Sequence, residues 1–182
     1  MYNPPFLPRR CLRDPFSPKL SRAARVSVTK LSAGLLMFRR SRGLELFIVH
    51  PGGPLFRNKD EGAWSIPKGE VDNGAEPLAS ALREFSEETG AAAPDGELVH
   101  LGEIRQKGGK RVVAWAIEGD MDPTSVKSNT FEMEWPPRSG RKQEFPEIDR
   151  AEFFPPELAR RKLNPAQAEL VDRLERKLEG GE

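Results

Sequence analysis

The stretch Trp64–Gly90, WSIPKGEVDNGAEPLASALREFSEETG, decides the reading of this chain. Its second half has the marks of one helix over Pro77–Thr89. Proline suits a first helical turn, where its missing N–H costs nothing, and Gly90 stands where a left-handed residue ends a helix. Leu78, Ala81, Leu82 and Phe85 fall at i, i+3, i+4 and i+7 and make an apolar core stripe. Glu84, Glu87 and Glu88 fall at i, i+3 and i+4, so their carboxylates converge on a different face. Like charges so spaced cost about 0.2–0.5 kcal/mol per pair in an isolated helix. The macrodipole also opposes negative charge near a helix C-terminus. A helix that carries both penalties implies a nearby cation, which Arg83 or a Mg²⁺ ion can supply. The preceding loop adds Lys68, a cation for phosphate, and Gly69, whose lack of a side chain lets backbone come close and present its carbonyl. A solvated acidic face would explain the glutamates alone, but not the joint pattern.

The rest of the chain sets bounds. At 182 residues it suits one domain with a buried core. Formal net charge is +1, so no global field recruits nucleic acid or membrane. The one cysteine, Cys11, excludes an internal disulfide and a cysteine–histidine metal cluster, which points to a reduced, cytoplasmic setting. No apolar run approaches the roughly 20 residues of a membrane span. Residues 1–29 carry five prolines and six Lys/Arg against one acid, Asp14. They are expected to form a disordered basic tail or an N-terminal extension the fold does not need, in preference to an organelle-targeting arm.

From Lys30 onward the pattern is that of a single folded domain, residues 30–182. LSAGLLMFRR and LELFIVHP read as strands broken at SRG, and WSIP as a short strand ended by Pro67. GELVHLGEIRQ and KRVVAWAIEG read as a second hairpin around KGG. Asp120–Gln143 reads as an irregular insert holding one strand, TFEMEW, and an exposed basic loop, PPRSGRKQ. RAEFF is a last strand. PPELARRKL and PAQAELVDRLERKL read as helices, the second capped by Asn164 with Pro165 at its first position and a stripe of Leu170, Val171, Leu174 and Leu178. Strands and helices do not alternate regularly, so α+β or a mixed α/β/α sandwich fits better than a doubly wound sheet.

Gly69 and Arg83-Glu84-Phe85-Ser86-Glu87-Glu88-Thr89-Gly90-Ala91 resemble the Nudix box, G-x5-E-x7-R-E-U-x-E-E-x-G-U, where U is a bulky apolar residue. WSIPKG before it is similar to that family too. The resemblance implies a Nudix-type α/β/α sandwich with a mixed sheet, from about Lys30 to the C-terminus. It implies Glu87 and Glu88 as main metal ligands, the Gly69 carbonyl as a further one, Glu84 as ligand or base, and Arg83 as the group that orients the glutamates. One position departs: the first glutamate of the box should stand six residues after Gly69, where this chain has Ala75 beside Glu76. The departure puts rate and metal geometry in question. A catalytic glutamate from outside the box is expected at Glu147, with Glu144, Glu132 and Glu134 behind it.

The activity so implied is Mg²⁺-dependent hydrolysis, with Mn²⁺ able to substitute, of the pyrophosphate linkage in a nucleoside diphosphate joined to another group. Metal ions would neutralise diphosphate charge and acidify water, and a glutamate would take the proton. Lys68, Arg105 and Lys110, with Lys107 and Arg111, are candidate phosphate contacts. Trp64 is the first candidate to stack a base, ahead of Phe56, Trp115, Phe131 and Trp135. WSIPKG and FPEIDRAEFF resemble the dinucleoside-polyphosphate hydrolase branch, while sugar-nucleotide, oxidised-nucleotide and RNA-cap substrates stay open. The rival is a non-catalytic, nucleotide-binding Nudix module, for which Ala75 speaks. Nucleic-acid and membrane partners are not expected, and the sequence leaves the oligomeric state open.

Overall fold

The apolar run Leu31–Arg39 is β1, a strand with both faces covered: Leu35, Leu36 and Met37 have almost no exposed surface. A continuous apolar run rather than strict alternation is what such a central strand requires. The computed structural model describes residues 30–180. The expected tail, residues 1–29, and Cys11 lie outside the described residues.

Along the chain follow β2 (Glu45–Pro51), β3 (Lys68–Glu70), α1 (Pro77–Thr89), β4 (Leu98–Arg105), β5 (Arg111–Glu118), β6 (Thr130–Glu134), β7 (Lys142–Pro146), β8 (Ile148–Phe154), α2 (Pro156–Lys162) and α3 (Ala168–Leu178). The main sheet runs β4-β5-β1-β2-β8, with β3 also on β1. It is mixed: β1 and β5 are parallel, and the other pairs antiparallel. One edge of β1 is divided. Phe38 and Arg39 pair with β2, while Ser32, Ala33 and Gly34 pair with β3. The sheet forks there, and the mouth of the fork faces the N-terminal end of β1.

Side chains alternate across the sheet and build two cores. Leu35, Met37, Phe47 and Val49 pack under α1 with Phe85, Ile117 and Phe153. Leu36, Phe38, Leu46 and Ile48 pack under α2 and α3 with Leu163, Leu170, Val171 and Leu174. This is the α/β/α sandwich with a mixed sheet that the sequence implies. Among the described residues no helix is long and apolar enough to cross a membrane.

Three local readings need correction. The WSIP segment is not itself a strand. Trp64 and Ser65 make single bridges, and the strand forms after Pro67, at Lys68–Glu70, because β1 offers its partner there. The basic loop at PPRSGRKQ ends in β7, which pairs with β6 as a separate two-stranded hairpin. The last helix begins at Ala168 rather than Pro165, and Asn164 caps the turn before it, its Oδ1 accepting from the Ala166 N–H at 3.2 Å.

Candidate functional site

Helix α1 runs over Pro77–Thr89 and stops at Gly90, which holds φ 74° and donates its N–H to Ser86. Ala81 and Phe85 are buried against the sheet and fix the rotation of the helix. That rotation sends Glu84 and Glu88, one turn apart, toward β3. The Lys68 backbone N–H donates to Glu88 Oε2 at 2.9 Å. The Glu84 carboxylate lies directly over Gly69: a Cβ there would sit 1.9 Å from both Glu84 Cδ and Oε2. Only a residue without a side chain allows that approach.

Arg83 organises the outer rim. It donates to both oxygens of Glu87 at 2.9 Å and to Glu84 Oε1 at 2.6 Å, with Asp72 at 3.9 Å. Glu84 and Glu87 are therefore not equivalent. The Glu84 side chain keeps 14% of its exposure, whereas Glu87 keeps 43% and is forked onto the guanidinium. The convergence of all three glutamates expected from spacing is only partly realised. Glu84 and Glu88 meet at β3, and Glu87 is turned to Arg83. Among the described residues, no three His, Cys, Asp or Glu side chains are gathered closely enough to hold an ion.

The electrostatics mark the same pair. Burial pushes the Glu88 carboxyl up to about 7, against the opposing pull of Lys68, and the charges of Glu84 and Glu147 push the same way. Burial also raises Glu84, with Arg83 working against it. Lys68 is lowered, chiefly by burial and also by Lys110, while Glu88 and Glu84 hold it up. Two carboxylates raised chiefly by burial, one turn apart on α1, give an oxygen donor set of the kind a hard cation prefers. Magnesium is commonly held through one or two carboxylates together with substrate phosphate and water. An all-oxygen set of Glu84, Glu88 and Gly69 fits that pattern.

The other expected residues divide. Glu147, between β7 and β8, is exposed and close enough for its charge to act on both Glu84 and Glu88. Glu144, Glu132 and Glu134 are engaged within the hairpin instead, with Thr130, with Lys142 at 3.4 Å, and with the Gly140 N–H at 2.8 Å. Lys68 and Lys110 reach the site electrostatically. Arg105 does not join them. It ends β4, with β5 and β1 lying between it and β3. Arg111 is paired with Glu103.

Trp64 is a correction. It is 2% exposed, donates Nε1–H to Asp60 at 2.8 Å, and packs against Phe154 and His50 at 5.2 Å on the α2–α3 side of the sheet. A ring committed to that core cannot stack a base near α1. Glu76, the carboxylate beside Ala75, is the helix N-cap: its Oε2 accepts the Ala79 N–H at 2.9 Å. Sequence reasoning missed His50, fully buried, with Nδ1 2.6 Å from Asp149 Oδ1 and Nε2 donating to the Lys59 carbonyl at 2.8 Å. It ties the loop after β2 to β8, and no local pattern announces it.

A family model described as NUDIX domain matches residues 22–174. A curated RNA pyrophosphohydrolase from Novosphingobium aromaticivorans is 56% identical over 36 residues, a match spanning 20% of this chain and 22% of that relative. Among solved structures, a Caenorhabditis elegans Ap4A hydrolase superposes with a TM-score of 0.59 at 20% identity, covering 82% of this chain and 98% of the other. The NUDIX domain of Shewanella oneidensis NrtR, complexed with ADP ribose, gives 0.56 at 14% identity over 90% and 94%. At such identities these structures speak for the fold.

Proposed function

This chain belongs to the Nudix family, and on that footing we propose that it is a Mg²⁺-dependent hydrolase of the pyrophosphate linkage in a nucleoside diphosphate joined to a second group. The carrying observation is the pairing of Glu84 and Glu88 at β3, with the Glu84 carboxylate filling the space that Gly69 leaves free. Glu84, Glu88 and the Gly69 carbonyl are the groups to hold the ion, and Glu87 serves through Arg83 or as an outer ligand. Bound there, the ion supplies neutralisation of diphosphate charge and polarisation of a phosphorus–oxygen bond.

The chain's own residues do the rest. Lys68 and Lys110 bind phosphate oxygens at the inner edge of the site. Arg83 holds Glu84 and Glu87 in place through the fork described above. Glu147, exposed and within electrostatic reach of the pair, takes the proton from the attacking water as general base. As the new bond to phosphorus forms, the phosphorus–oxygen bond to the leaving phosphate breaks, and its electron pair departs with that oxygen.

Substrates of the dinucleoside-polyphosphate type are the first to test. The neighbours named above include an Ap4A hydrolase and an RNA pyrophosphohydrolase. A second reading, a nucleotide-binding module without turnover, has one observation in its favour. Ala75 lacks the carboxylate of the box, and Glu76 is spent on the helix cap. A screen of dinucleoside polyphosphates, ADP-ribose, nucleoside triphosphates and 5′-triphosphorylated RNA with Mg²⁺ and Mn²⁺ separates the two. Release of phosphate or nucleotide from any of them supports the hydrolase, and binding without cleavage across the panel supports the module.

A further inference from the structure

The hairpin β6–β7 has two unlike faces. Its register sets Phe131 opposite Phe145 and Met133 opposite Gln143, and beyond them Trp135 donates its N–H to the Arg141 carbonyl. With side chains alternating, Phe131, Met133, Trp135, Arg141, Gln143 and Phe145 share one face. Thr130, Glu132, Glu134, Lys142 and Glu144 share the other, which is exposed and joined by its own polar contacts. The aromatic face turns inward, since a Cβ on Gly53 would lie 3.0 Å from the Phe131 ring.

Between that face and the loop after β2 lies a cavity of about 290 Å³, lined by Gly53, Pro54, Arg57, Trp135, Gln143 and Phe145. Its floor is built rather than incidental. Asp149, a further lining residue, is anchored by the buried His50, which also grips the loop through the Lys59 carbonyl. The cavity adjoins the site. The Gly52 N–H, beside the lining Gly53, donates to the carbonyl of Glu147 at 2.8 Å. Arg57 and Arg141 have no carboxylate partner among the described residues, unlike Arg83 or Arg111. A volume near the lower end of the roughly 300–1,000 Å³ of ligand sites suits one base rather than a whole dinucleotide.

We propose that this cavity is the nucleobase subsite, in which a base stacks on Trp135 while Gln143 meets its polar edge and Arg57 its phosphate side. This rests on the reading of α1 and β3 as the diphosphate site and adds to it where the base lies. Aromatic stacking is tolerant of base identity, because every base has a π-face. The subsite therefore predicts modest discrimination among bases and a strong preference for nucleotides over base-free diphosphates.

The test is equilibrium binding by the full chain, in Mg²⁺, of two uncleavable probes: α,β-methylene-ADP and methylenediphosphonate, which lacks the nucleoside. Trp135→Leu is expected to weaken the nucleotide probe about tenfold or more and leave the diphosphonate within twofold, with Trp135→Tyr restoring most of the loss. Arg57→Ala, on the opposite and exposed wall, serves if the Leu variant does not fold, and is expected to weaken the nucleotide probe several-fold. Unchanged nucleotide affinity in these variants, equal loss of both probes, or no binding of the nucleotide probe by the parent chain overturns the subsite. A parent chain that binds the nucleotide through Trp135 yet cleaves nothing overturns the hydrolase reading and leaves the subsite standing. Cleavage with a KM indifferent to Trp135→Leu does the reverse.

Discussion

Replacing Glu88 by glutamine should stabilise the metal-free protein while disabling it. The Glu88 carboxyl is raised from its ordinary 4.5 to about 7, mainly because burial disfavours the charged form. A carboxyl raised in the folded state binds its proton more tightly there than in the unfolded chain. Its contribution therefore favours folding in acid and turns against folding as pH climbs from about 4.5 through 7. At 1.36 kcal/mol per pKa unit, the penalty at alkaline pH has an upper bound of about 3–4 kcal/mol. Residual solvent screening brings the expected figure to about 2 kcal/mol. Glutamine is nearly isosteric, carries no charge, and its Oε1 can keep the bond from the Lys68 N–H. In chelator at pH 8, Glu88→Gln should gain about 2 kcal/mol in urea unfolding, or roughly 4–8 °C in Tm for a chain of this size. At pH 5 the gain should fall below about 1 kcal/mol. Added Mg²⁺ should raise the Tm of the parent and leave the variant unmoved, and activity should be lost. A variant less stable than the parent in chelator at pH 8, or a gain that does not change with pH, would refute the reasoning.

Other perturbations separate the roles within the site. Gly69→Ala puts a methyl group where the Glu84 carboxylate lies, so kcat should fall by about 100-fold or more with little change in Tm, because Glu84 can swing outward. Glu147→Gln should lower kcat by about 100-fold, while Glu144→Gln stays within about twofold, as measured by steady-state rates on one substrate. Glu76→Gln should cost about 0.5–1 kcal/mol of stability through the helix cap and leave kcat nearly untouched, and a severe loss of kcat in the folded variant would place Glu76 in the catalytic set. Trp64→Phe should cost about 0.5–1.5 kcal/mol in denaturant unfolding and leave KM unchanged, since the lost indole N–H served Asp60, which keeps Lys162, rather than a ligand.

How far these roles can be read from sequence depends on whether the signal is local. Helix α1 is legible to the residue because Pro77, the apolar stripe and Gly90 all speak from within it. Strand β1 is legible from its unbroken apolar run. The position of β3 is not, because three residues with no pattern of their own become a strand only where β1 offers a partner. Nor is β7, whose KQEFP carries one apolar side chain before its proline and pairs through its register with β6. Within the site, spacing places Glu84, Glu87 and Glu88 on one face but cannot say that Arg83 draws Glu87 away. Trp64 misleads for the same reason. A tryptophan next to the box looks available to a ligand until the crossing of the chain under α2 and α3 buries it. The sequence ranks Glu147 ahead of Glu144 only by resemblance, and the physical difference lies in the fold: Glu144 is engaged with Thr130 inside the hairpin, while Glu147 stands in the turn between β7 and β8.

The most direct test is hydrolysis in ¹⁸O-labelled water by the full chain with Mg²⁺, run on the nucleotide panel with products weighed by mass spectrometry. The account predicts one ¹⁸O on a product phosphate, cleavage at a phosphorus–oxygen–phosphorus link, and loss of both in Glu88→Gln. Nucleotides that bind in Mg²⁺ but return intact and unlabelled across the panel would contradict it.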